Sequence, residues 1–92
     1  MNHQEIGTIV TEILMEKLGV SDTKISAEST MQDLGADSLD VVEIILEIEH
    51  KFGISIPDNI IPEVQNIGSL CKYIEKELGK TGEQLSKMEA AI

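Results

Sequence analysis

The sequence predicts an all-α fold: a small bundle of three main helices, a short third helix or turn before the last, and a long loop after the first. Three observations predict it. Apolar residues recur at spacings of three and four in three separate segments, the period of a helix with a buried face. The period-two alternation of a half-buried strand is nearly absent. A glycine follows each periodic segment, at Gly19, Gly53 and Gly79, where helices commonly end.

The first helix is predicted from about Gln4 to Leu18. Ile6, Ile9, Val10, Ile13, Leu14 and Leu18 form its stripe. Asn2 is a suitable cap, with Glu5 three residues on. Residues 19–37 read as a connection rich in Gly, Ser, Thr and Asp, carrying isolated apolar residues at Val20, Ile25, Met31 and Leu34. A loop of that length is unusual in so small a domain. The apolar residues are expected to pin it, with a short turn around Met31–Leu34.

The second helix is predicted from Ser38 to about Phe52, with Asp37 as N-cap and Asp40 in its first turn. Residues 54–59 are turn-like, because Pro57 cannot continue a helix. A short helical piece including Ile60 and Ile61 is expected to be broken by Pro62. The last main helix is expected from about Ile67 to Leu78, capped by Asn66 and closed by Gly79. Leu85, Met88 and Ile92 give the tail a weak stripe, so residues 80–92 read as frayed or weakly helical. The domain is therefore placed at residues 1–79 and the tail at 80–92.

Composition excludes whole classes of function. Ninety-two residues suffice for one small domain. The formal net charge is −10, from 17 acids and 7 bases, all of them Lys. A nucleic-acid binder needs the opposite surface, whereas an acidic one suits basic protein partners. No run of about 20 apolar residues is present to span a membrane. The N-terminus lacks a basic region followed by an apolar block, so no secretion signal is expected. One cysteine excludes an internal disulfide framework and fits a cytoplasmic protein.

The second helix has two apolar faces. On a helical wheel Val41, Ile44, Ile45, Ile48 and Phe52 share one sector, an ordinary core stripe. Leu39, Val42 and Leu46 fall nearly opposite, edged by Asp40, Glu43 and Glu47 on one side and Glu49 on the other. One reading is a central helix buried on both faces. Carboxylates beside the second stripe count against it, since they are costly to bury without partners. The other reading is a docking strip of small apolar anchors among acids, fitted to a basic-rimmed partner. Between Ile25 and His50 stand seven acids and no Lys.

Ser38 opens this helix, in Leu34-Gly35-Ala36-Asp37-Ser38-Leu39-Asp40. Its hydroxyl is expected in solvent beside unpaired N–H groups that favour an anionic substituent such as a phosphate ester. Asp37 and Asp40 repel such a group, and helix geometry alone prefers a plain serine beside a cap. Ser38 is not expected to be a nucleophile, so no catalytic residue is assigned. His50 lies about three turns down the same helix, and no G-x-S-x-G context is present. The acids do not follow a calcium-loop pattern and no metal site is expected. Cys71, on the apolar stripe of the last helix, reads as a buried inert thiol.

The block Leu34–Asp40, followed by Glu43, the stretch Phe52…Ile56-Pro57-Asp58 and a final helix with Tyr73-Ile74, resembles the acyl carrier protein family. The resemblance runs from about Glu5 to Gly79, and Ala36 favours the free-standing, fatty-acid-synthesis type. It implies a helical bundle of the acyl carrier kind that is not an enzyme. It also implies a covalent 4′-phosphopantetheine on Ser38, placed there by a phosphopantetheinyl transferase that recognises Asp37 and the second helix. Acyl groups would ride on the arm as thioesters and be presented to basic-patched enzymes of fatty-acid or related synthesis, by a carrier that is itself a monomer. The implied docking contacts are Leu39, Val42 and Leu46 with Asp37, Asp40, Glu43, Glu47 and Glu49, and the acyl chain is expected between the helices. The chain departs from the family pattern at Thr30, His50, Lys51, Ile60, Ile61, Pro62 and the tail, which suits a specialised carrier for a secondary pathway. An acidic helical adaptor without a prosthetic group is the other alternative.

Overall fold

The computed structural model describes the backbone of residues 2–91 and the side chains of residues 2–79. Three α-helices account for most of it: α1 (His3–Leu18), α2 (Ser38–Phe52) and α3 (Ile67–Ala91). Two short 3₁₀ helices, Asp22–Lys24 and Ile61–Val64, lie in the connections. The boundaries of α1 and α2 follow from local chemistry. The Asn2 side chain accepts the Glu5 N–H at 2.8 Å, satisfying a donor that the helix itself cannot. Gly19 and Gly53 end the two helices at φ of 67° and 66°, a region open to glycine without a Cβ penalty.

Two expected stops do not stop a helix. Pro62 does not break the short helix Ile61–Val64 but sits in its first turn, where the missing N–H would have had no helical partner. Gly79 does not close α3, whose backbone continues to Ala91. Its φ is not positive, and a helical glycine costs only about 1 kcal/mol relative to alanine. The stripe of Leu85, Met88 and Ile92 falls outside the residues whose side chains are described.

The core is aliphatic apart from Phe52, Met31 and Cys71. Ile6, Val10, Ile13 and Leu14 of α1 meet Val41, Ile44, Ile45, Ile48 and Phe52 of α2. From α3 come Ile67, Leu70, Cys71 and Ile74. Among the described residues α1 packs against both α2 and α3, and α3 packs against the short helix Ile61–Val64.

The long loop is pinned as its apolar residues require. Met31 and Leu34 are buried, and Val20 and Ile25 half-buried. Backbone bonds also tie it to the start of α3. The Met31 N–H donates to the Gln65 carbonyl at 2.9 Å, and the Ile67 and Gly68 N–H groups donate to the Ser29 and Ala27 carbonyls. A Cβ on Gly68 would stand 2.9 Å from the Ala27 oxygen, so only glycine allows this approach.

Candidate functional site

The N-terminus of α2 is built by a reciprocal cap. The Asp37 carboxylate accepts the Asp40 N–H at 2.9 Å, and the Asp40 carboxylate accepts the Asp37 N–H at 3.1 Å. Each acid uses one oxygen on the backbone, which fixes the turn before Ser38. The first intrahelical bond runs from the Val41 N–H to the Asp37 carbonyl. The N–H groups of Ser38 and Leu39 precede it and point out of the helix end. Ser38 is exposed, and its hydroxyl has no hydrogen-bond partner among the described residues.

Beside Ser38 runs an open groove of about 540 Å³. Ala36, Val41, Val42 and Ile61 give it apolar walls, and Gln32 and Gln65 a polar one. The Gln32 side-chain amide donates to the Gln65 amide oxygen across this wall. No local pattern signals this pairing, because the two residues stand 33 positions apart.

The outer face of α2 is uncovered. Leu39 is 64% exposed, Val42 47% and Leu46 58%. These values dispose of a helix buried on both sides. Glu43 is exposed beside them, and Asp40 and Glu47 are half-buried. Glu49 behaves differently: its carboxylate accepts the Ile56 N–H at 2.8 Å in a partly buried position. That bond holds the turn after α2 and occupies an oxygen that an edge-of-strip acid would offer to a partner. Its sequence signal was slight, since the partner is a backbone group seven residues on.

The other reactive groups face elsewhere. Cys71 is buried, and burial, with Glu75 nearby, pushes its thiol above the usual range, which suppresses the nucleophilic thiolate. The Tyr73 hydroxyl donates to the Ser55 carbonyl at 3.2 Å. Burial, then the carboxylates of Glu77 and Glu49, push it upward. Among the described residues no three His, Cys, Asp or Glu side chains gather to hold a metal ion.

A family model described as a phosphopantetheine attachment site matches residues 8–74. The acyl carrier protein of Thermotoga maritima is 38% identical over 79 residues, covering 85% of this chain and 98% of that protein. The acyl carrier protein of Amoebophilus asiaticus is 40% identical over 77 residues, covering 83% and 96%. Among solved structures, the fold is similar to hexanoyl acyl carrier protein from the actinorhodin polyketide synthase of Streptomyces coelicolor. The TM-score is 0.63 at 25% identity, over 77% of this chain and 87% of that one.

Proposed function

This chain belongs to the acyl carrier protein family, with acyl carrier function and a phosphopantetheine group, and on that premise we propose that Ser38 bears the group. The observation that carries the proposal is the placement of Ser38 among the serines of the matched segment. Ser38 alone combines an exposed hydroxyl, a capped helix start and an adjoining groove. The hydroxyls of Ser21, Ser26 and Ser29 are bonded to neighbouring side chains. Ser69 is held by Asn66, and Ser55 follows the end of α2.

The residues fit a phosphate ester bearing a long chain. The Ser38 and Leu39 N–H groups and the positive end of the α2 dipole favour the phosphate. Asp37 and Asp40 are turned toward the backbone by the cap, which lessens their repulsion of it. When bound, the group supplies the thiol on which acyl groups are carried as thioesters. The protein's own part is to place that arm on a rigid helix end and to offer its partners a surface.

That surface is Leu39, Val42 and Leu46, with Asp37, Asp40, Glu43 and Glu47 around them. It suits basic-patched enzymes, among them the phosphopantetheinyl transferase and the enzymes of fatty-acid or related synthesis. The chain is then a monomeric carrier of the cytoplasm that catalyses nothing itself. No helix among the described residues is long and apolar enough to cross a membrane. The carrier unit is residues 1–79, since the core described above runs from Ile6 to Ile74.

The test is direct. Full-length protein incubated with a phosphopantetheinyl transferase and coenzyme A should gain the mass of one phosphopantetheine. Ser38→Ala should gain nothing while keeping its helical circular dichroism. A wild-type mass that does not change would overturn the assignment.

A further inference from the structure

We propose that Gln32 and Gln65 form an amide-binding rim that holds the phosphopantetheine arm in the groove beside Ser38. The proposal rests on Ser38 being the attachment point.

The groove begins at Ser38 itself, so an arm joined there reaches it without a separate binding event. A tether of that kind lets contacts too weak to bind a free ligand still be populated. The chemistry of groove and arm then agrees. The arm carries two secondary amides, a hydroxyl and two geminal methyl groups. The groove offers Val41, Val42, Ile61 and Ala36 for the methyls, and the Gln32 and Gln65 amides for the polar groups.

The rim is assembled before the arm arrives. The Met31 N–H bond to the Gln65 carbonyl and the antiparallel bridge between Thr30 and Asn66 hold the two chain segments side by side. The side-chain amides of Gln32 and Gln65 then meet at the edge of the groove. Each side-chain amide has two N–H donors and an oxygen with two lone pairs. One mutual bond therefore leaves both residues with donors and acceptors for a third amide, whichever way each is turned. Neither side chain has another hydrogen-bond partner among the described residues. Gln32 is exposed and Gln65 half-buried, so both are open to the arm.

These are positioning residues: they do not touch the bond being made to the thiol, but set where the thiol waits. The experiment uses the full chain, with loading established by intact mass. In ¹⁵N-labelled protein the side-chain NH₂ signals of Gln32 and Gln65 should move on loading, while those of exposed Gln4 stay in place. Iodoacetamide labelling of the arm is then timed on the Ser38-containing fragment, in wild type and in the double variant Gln32→Leu, Gln65→Leu. Losing one modest hydrogen bond should make labelling about two- to tenfold faster. Unmoved glutamine signals and equal labelling rates in fully loaded protein overturn the rim and leave the Ser38 assignment standing. A protein that never loads removes both.

Discussion

Glu43 and Glu49 are both acids of α2, six residues apart, and their surroundings give them different work. Glu43 is exposed among the apolar anchors. Glu49 turns back to the chain and accepts the Ile56 N–H at 2.8 Å. Removing that acceptor leaves a partly buried donor without a partner, which costs about 1–3 kcal/mol. Glu49→Ala should therefore lower Tm by about 4 °C or more, given about 4–8 °C per kcal/mol for a domain of this size. Glu43→Ala should stay within about 0.5 kcal/mol of wild type. Thermal unfolding by circular dichroism checks both, and equal Tm values for the two variants would remove the distinction. Asp37 and Asp40 resemble Glu49 in this respect, since each gives one carboxylate oxygen to a backbone N–H.

At the scale of the element, α2 is two surfaces on one rod. Its inner stripe is buried and its outer stripe of Leu39, Val42 and Leu46 is about half exposed. If the outer stripe docks partners, changes there should act on binding and spare the fold. Leu46→Ala should weaken binding to the loading transferase by about 1 kcal/mol, or roughly fivefold in Kd. Glu43→Lys should slow association with the same enzyme. Titration calorimetry with each variant, alongside its Tm, separates docking from folding; unchanged Kd in both variants would end the docking-strip reading. The two stripes were legible in the sequence because helical spacing is a local signal, as were the caps at Asn2, Asp37 and Asn66. The Asn66 side chain accepts the Ser69 N–H at 3.1 Å. What escaped was non-local or cheap. The Gln32–Gln65 pair, the loop against Gly68 and the 3₁₀ turn at Asp22–Lys24 depend on how the loop folds back. At Gly79 a small propensity penalty did not decide the outcome, and at Pro62 the position within the turn mattered more than the residue type.

For the molecule as a whole, the charge of −10 acts on folding and on docking with opposite signs. Folding brings like charges together, so self-repulsion destabilises the compact state. Around Ser38 the seven acids between Ile25 and His50 have no Lys among them. Docking to a basic surface relieves that same excess. Screening shortens from about 10 Å at 0.1 M salt to about 3 Å at 1 M, weakening repulsion and attraction alike. Sodium chloride should therefore raise the Tm of the free protein while weakening its complex with a basic transferase. The rise should be a few degrees, since about 1 kcal/mol corresponds to about 4–8 °C. Parallel melts in an uncharged osmolyte control for general solvent effects on burial. A Tm that stays flat or falls with sodium chloride would mean that the acids are already balanced within the fold. The excess could not then be the force that brings the partner in.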